Sequence, residues 1–400
     1  MTTQTNLDAH VPHAGGIGAA LTVLIAFACG ALVANLYYAQ PLVSLIGRSA
    51  NMPAGADSML VTATQLGYGL GLILLVPLGD ILENRRVIVV TMAATVVALI
   101  GLAMAPGAGT LFLMMFVVGA SSTAAQMLVP LAAHLARSEE RGRVVGNVMS
   151  GLLGGILLAR PLASFLADWI GWRGVFLLSA VIVAATALVC RAVLPQRRPE
   201  HSQSYGALLL SMGRLIVEQP LLRRRALFHS AMFCVFTIFW TGAPIILMRA
   251  PFDFTATGVA VFALAGVLGI FAAPVAGRLA DRGHSRAGTA AAMMTVIAAL
   301  VIAYFGSSSL SCLVAAAILI DLGVQANLVI SQREIYGLAA SVRSRLNAVF
   351  MAVFFLGGAI GSALTSPVLS ALGWHGLILV SLLFPAAALA YFSATELRAR

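Results

Sequence analysis

The sequence predicts an all-α membrane protein: twelve transmembrane helices in two six-helix bundles related by a pseudo-two-fold axis along the membrane normal. Three observations carry this prediction. The chain is too apolar for water, its apolar stretches have bilayer-spanning length, and its two halves repeat. Of 400 residues, 60% are hydrophobic and 10% charged, with a mean hydropathy of +0.98. Soluble domains carry about 25% charged residues, so lipid must solvate most of this surface. The first sixteen residues contain no Lys or Arg, so they lack the basic start of a cleaved signal peptide.

Apolar stretches of roughly 20 residues span a bilayer as helices. Twelve are expected, at 18–40, 57–79, 87–105, 110–134, 144–167, 174–193, 226–248, 256–277, 287–305, 310–331, 346–369 and 375–393. The shallowest breaks fall at Pro106–Thr110 and Gly306–Ser309. The repeat has an offset near 200. GWRGVFLLSA from Gly171 matches GWHGLILVSL from Gly373, and RGR from Arg141 matches RSR from Arg343. VPLGD ending at Asp80 matches GRLAD ending at Asp281, and YYAQP ending at Pro41 matches WTGAP ending at Pro244. Four anchors in one order make a parallel repeat of six spans each. The expected units are therefore residues 1–193, a linker at 194–225, and residues 226–400. Within the linker, Tyr205–Glu218 reads as a short amphipathic helix on the membrane surface.

All 24 basic side chains are Arg. With the N-terminus inside, twenty fall in cytoplasmic loops and tails and only Arg48, Arg173 and Arg249 fall outside. That excess places both termini in the cytoplasm. The net charge of +10 is spread along one membrane face, so anionic lipid headgroups are its counterpart, and nucleic acid is not expected as a partner.

Enzyme chemistry finds little support. Cys29, Cys190, Cys234 and Cys312 lie in apolar segments without metal-ligand spacing and read as packing residues. Six of seven His lie at tails, loops or helix ends, and His229 lies near the start of the seventh span. No GxxxxGK[ST] loop is present. No metal, cofactor or catalytic residue is expected.

The loop after the eighth span, GRLADRGHSR from Gly277 to Arg286, resembles the signature loop of the major facilitator superfamily. The first-half copy, VPLGDILENRR, keeps Asp80, Arg85 and Arg86 but has Val76 for the leading Gly and Ile81 for the Arg after Asp. The resemblance covers essentially the whole chain. Together with YYAQPL, DLGVQANLVISQREIYGL and RSRLNAVFM, it points to a bacterial branch near the drug:proton antiporters. It implies a multi-pass bacterial inner-membrane transporter, a monomer, working by alternating access. It also implies gating roles for Asp80, Arg85, Arg86, Asp281, Arg282 and Arg286, with Asp80 aimed at the start of the eleventh span and Asp281 at the start of the fifth. An Asp in so tight a loop can accept from the free N–H groups of a helix start.

Two charges lie deep within spans: Arg160 in the fifth and Asp321 in the tenth. Each costs at least ~2.5–3.5 kcal/mol to insert and should face the bundle interior. Counted at ~1.5 Å per residue, their depths of ~12 and ~16 Å allow them to meet. Low dielectric favours the neutral acid and a nearby guanidinium favours the anion, so a movement separating the two would switch a proton on and off. Asp321 is thus the expected proton-coupling carboxylate and Arg160 its partner. Fixed ion pairing and snorkelling of Arg160 are the competing readings.

Polar residues recur at helical spacing: Ser230, Cys234, Thr237 and Thr241 on the seventh span, Ser122 and Gln126 on the fourth, Gln325 and Gln332 beyond Asp321, and Asn35 and Tyr38 on the first. The resemblance implies that spans 1, 4, 7 and 10 line the cavity. Asn35, Tyr38, Gln40, Gln126, Trp240, Thr241 and Gln325 are the expected substrate contacts. Two departures stand against a drug:proton antiporter in detail: Val117, Gly119 and Ser121 replace an Arg in the fourth span, and Arg160-Pro161 stands where Gly-Pro ends the antiporter motif. The functional expectation is proton-coupled efflux of small, partly apolar molecules. A proton-coupled importer or a uniporter is the alternative. A non-transporting receptor would need a sensing loop, and the loops are short.

Overall fold

The computed structural model describes residues 17–53, 55–137, 139–198, 204–338 and 342–397. Every regular element among them is helical. In chain order these are α1 Ala19–Ala34, α2 Ala39–Ser49, α3 Met59–Leu74 with a 3-10 extension Val76–Asp80, α4 Asn84–Ala103, α5 Ala108–Ser121, α6 Ala124–Leu135 and α7 Arg141–Val193. Then follow α8 Tyr205–Glu218, α9 Pro220–Leu247, α10 Ala256–Ala263, a 3-10 segment Leu264–Phe271, α11 Ala272–Asp281, α12 Ser285–Tyr304, α13 Leu310–Tyr336 and α14 Arg343–Phe392.

Nine helical stretches among the described residues are long and apolar enough to cross a membrane, ten if the bent pair α1–α2 counts as one. Two of the nine, Arg141–Val193 and Arg343–Glu396, run 53 and 54 residues. At ~1.5 Å per residue such a helix would reach about 80 Å, more than twice the ~30 Å of a hydrocarbon core. Neither is straight. Gly171 interrupts α7 at φ 69°, ψ 166°, and Gly373 interrupts α14 at φ 66°, ψ −170°. This corner of conformational space is open essentially to glycine alone, which is why the repeated sequence pair turns on Gly171 and Gly373.

Three further departures from uniform helix have local causes. The expected first span bends by 43° between Ala34 and Ala39 and continues to Ser49, past Gln40. The fourth divides at Ser122–Thr123, where both hydroxyls turn back to donate to the carbonyls of Val118 and Ala120. The eighth passes through 3-10 geometry between α10 and α11. The helix anticipated at Tyr205–Glu218 is present as α8 over those residues, capped by the Ser204 hydroxyl. α9 begins at Pro220, so Arg223–Arg225 lie in its first turns.

The outer surface of the helices is strongly apolar, and a set of polar groups is buried within the apolar core. Val97, Val181, Leu188 and Leu383 are each more than 65% exposed, while Asn35, Gln40, Thr95, Asp321 and Asn327 are fully buried. Backbones approach closely where side chains are small. Gly30 of α1 lies against Gly151 and Gly155 of α7, Gly67 and Gly71 of α3 against Phe116 and Ala120 of α5, and Gly357 and Gly361 of α14 against Ser230 and Cys234 of α9.

Candidate functional site

Two ends of the bundle differ. At the Arg-rich end, Arg85 donates to the Leu194 carbonyl, Arg345 to the Ser211 hydroxyl, and Arg343 to the Tyr336 carbonyl. A funnel enters here between α6, α7, α13 and α14. Its mouth, about 420 Å³, is lined by Pro130, Val145, Tyr336, Arg343 and Asn347. Behind it lies a narrower chamber of about 190 Å³, walled by Tyr37, Tyr68, Gln126, His229, Phe233, Phe236, Gln325, Phe354 and Phe355 among others. The opposite end is shut. Thr62 and Ser362 share a buried hydrogen bond of 2.9 Å, Ser366 N–H donates to Ser58 at 3.2 Å, and the Thr257 amide and hydroxyl both donate to the Asp168 carboxylate.

Behind the Tyr37 and Phe236 side of the chamber wall sit Arg160 and Asp321. Their nearest approach is 4.0 Å, with side chains 3% and 0% exposed. Trp240 lies between them. Its indole N–H donates to Asp321 Oδ2 at 2.9 Å, and its ring face carries the Arg160 guanidinium at 4.0 Å from the centroid. Phe236 and Tyr37 present further rings at 4.9 and 5.8 Å. Asp321 is seated by two glycines of the 3-10 segment: a Cβ on Gly266 would come within 2.6 Å of Trp240 and 2.8 Å of Asp321, and one on Gly269 within 2.6 Å of Asp321. The segment's tight path is therefore what gives the carboxylate room. Arg160 does not snorkel; its guanidinium lies in an aromatic box.

The other expected residues divide. Gln126, which donates to the Tyr68 hydroxyl at 3.0 Å, and Gln325 line the chamber. Asn35 and Tyr38 face the second half of α7 instead: Ser179 donates to Asn35 Oδ1 at 2.7 Å, and Tyr38 packs edge-on against Phe176. The bend at residues 35–38 turns this side of α1 away from the chamber and brings Tyr37 into it. Gln40 and Thr241 are fully buried, with the Gln40 amide and the Thr241 hydroxyl making no hydrogen bond among the described residues. On α9 the polar stripe does not face the chamber; Ser230 and Cys234 receive the glycines of α14, and His229, Phe233 and Phe236 take the inner wall.

Among the expected gating residues, Asp80 is exposed at the Arg-rich end, where Arg345 at the start of α14 and Arg197 are the charges acting on it. Asp281 pairs with Arg333 at the end of α13, at 2.6 Å, and not with the start of α7. With the funnel open at this end, the nearest cation to Asp281 is on its own side of the mouth. Arg86, Arg282 and Arg286 are exposed, and Glu83 caps α4 by accepting from the amides of Arg85 and Arg86. Sequence reasoning missed Tyr68, Asp168 and the His229–Asn327 pair, whose side chains meet at 3.1 Å. The lone His in an apolar span was the available signal.

The comparisons agree with this architecture. Residues 19–332 match the Major Facilitator Superfamily. YgaY, an uncharacterized transporter of Escherichia coli O157:H7, is 39% identical over 363 residues, covering 90% of this chain and 91% of its own. The Streptomyces coelicolor protein named "Probable transporter SCO4007" is 30% identical over 359 residues, covering 90% and 83%. A bacterial homolog of the human lysosomal transporter Spinster superposes with a TM-score of 0.77 at 14% identity, covering 93% of this chain and 95% of that one. The nucleoside transporter NupG superposes at 0.73 and 15% identity, covering 94% and 99%.

Proposed function

The chain belongs to the major facilitator superfamily, and from that premise we propose that it exports small, partly apolar molecules in exchange for protons by alternating access. It is an all-helical membrane transporter and not an enzyme. In our reading it crosses the bilayer twelve times, α7 and α14 each crossing twice about Gly171 and Gly373. Residues 1–193 and 226–400 form the two moving bundles, joined by 194–225. The Arg-rich end faces the cytoplasm, both termini with it, so the funnel is inward-open. The protein sits in the bacterial inner membrane as a monomer.

One observation carries the coupling: a carboxylate and a guanidinium, from opposite halves, meet at 4.0 Å in a site sealed from water. In low dielectric neither charge is stable alone. When the halves rock apart, Asp321 loses its counter-charge and must take up a proton; when they close, it releases it. Gln126, Gln325 and Trp240 serve the substrate around this centre, and Asp80, Arg85, Arg86, Asp281, Arg282 and Arg286 re-form contacts across the Arg-rich end when the funnel closes. The aromatic chamber favours planar apolar bodies.

The test is transport in proteoliposomes under an imposed pH gradient. Asp321→Asn should lose gradient-driven accumulation at least tenfold while still exchanging substrate at equilibrium. Gradient-driven transport that persists in this variant would refute proton coupling through Asp321.

A further inference from the structure

We propose that Arg160 binds an anionic group of the substrate, a carboxylate on an apolar or aromatic body, and that this group and Asp321 alternate at the guanidinium. The inference rests on Asp321 being the proton-carrying group and names a substrate class for that site; for such an anion the proton and the substrate load together, so its coupling is co-transport in one direction, the importer reading, and not exchange.

The first ground is unfilled hydrogen-bonding capacity. A guanidinium offers five N–H donors in a fork that fits a carboxylate through two parallel bonds. Arg160 is 2% exposed, its buried Nε has no hydrogen-bond partner among the described residues, and its Nη2 lies 4.0 Å from the Asp321 carboxylate, beyond hydrogen-bond distance. Asp321 stands off at 4.0 Å; its Oδ2 takes the Trp240 indole and its Oδ1 has no donor. The rings of Trp240, Phe236 and Tyr37 hold the positive charge but supply no acceptor toward it. The site is built around a cation whose ligand positions are open.

The second ground is charge balance. Among the described residues, those lining the chamber include amides, an imidazole, phenols and aromatic rings but no carboxylate, and the one charge lining the mouth is Arg343. An organic cation would find only Asp321 as counter-ion. Taking it would leave that cation beside Arg160, two like charges in low dielectric. An organic anion closes the balance differently. Asp321 takes a proton, the carboxylate replaces it at Arg160, and the pocket stays neutral. Tyr37 and Phe236 each line the chamber and face the guanidinium, so they are the partition that a carboxylate must displace to reach it.

Three probes sharing one ring system separate charge from shape: 2-naphthoate, 2-naphthamide and 2-naphthylmethylammonium, titrated calorimetrically into the purified protein. Naphthoate should bind at least tenfold tighter than the ammonium probe. Asp321→Asn, which frees the guanidinium, should tighten naphthoate at least tenfold. Arg160→Gln should weaken it at least tenfold, and Arg160→Lys should recover part of the loss. Preference for the ammonium or the amide, weaker naphthoate binding in Asp321→Asn, or no naphthoate binding by either wild type or Asp321→Asn at millimolar concentration would overturn the proposal. These titrations impose no gradient. Loss of driven transport in Asp321→Asn without tighter naphthoate binding would refute the anion site alone; tighter binding with driven transport intact would refute proton coupling alone.

Discussion

At the scale of single residues, the central fact is how Trp240 divides its two faces of chemistry. Its edge satisfies Asp321 and its π-face satisfies Arg160. Trp240→Phe keeps a ring over the cation and removes the N–H. A hydrogen bond to a charged group contributes about 1.5–3 kcal/mol, so this variant should melt at lower temperature in detergent. Combined with Asp321→Asn, the losses should fall short of additive by about 1 kcal/mol; strictly additive losses would mean that the indole bond does no energetic work. The deep charges were legible in the sequence because an Arg and an Asp inside apolar spans have few reasons to be there. Trp240's double contact was not, since it needs three chain segments brought together. Nor was the turning of Asn35 and Tyr38 toward α7, because a bend near residue 35 shifts the helical face by one residue and substitutes Tyr37.

Among elements, glycine spacing sets how closely helices run. Gly154 and Gly155 are adjacent in sequence and opposite in consequence. A Cβ on Gly154 meets nothing within 4 Å, whereas one on Gly155 would enter the backbone of Gly30 on α1. Gly154→Leu should therefore leave a monodisperse, folded protein, and Gly155→Leu should destabilise it by about 3 kcal/mol or more, read as loss of the monomer peak in fluorescence size-exclusion chromatography. Equal profiles for the two would refute the packing. Helix positions were legible because apolar length and loop Arg are one-dimensional signals. The small-residue seams were not, and the same blindness misassigned Ser230: a stripe at helical spacing marks a face, but not whether that face meets a cavity or a glycine-lined neighbour.

For the whole molecule, the decisive asymmetry is between an open Arg-rich end and a closed opposite end. Asp168 of α7 receives both the amide and hydroxyl of Thr257 at the start of α10, so it holds two parts of the chain that would separate if that end opened. Asp168→Ala should shift the population toward opening there. A cysteine placed at Thr62, in a background without the four native Cys, should then react severalfold faster with a membrane-impermeant maleimide; an unchanged rate would remove Asp168 from the closure. The twofold repeat was legible from four sequence anchors. The state of the two ends was not, because it depends on contacts between segments about 90 and 300 residues apart, such as Asp168 with Thr257 and Thr62 with Ser362.

The placement of Trp240 has one more consequence, an optical one. Of the four tryptophans, Trp169 is 75% exposed, Trp172 and Trp374 are 7% and 5% exposed, and Trp240, at 1%, lies between a carboxylate and a guanidinium. The emission energy of an indole follows the electric field along its long axis. Any step that separates or neutralises that pair changes the field at this one chromophore far more than at the other three. The protein thus carries a built-in voltmeter at its centre, and the colour of its own ultraviolet fluorescence should record each turn of the cycle without a label.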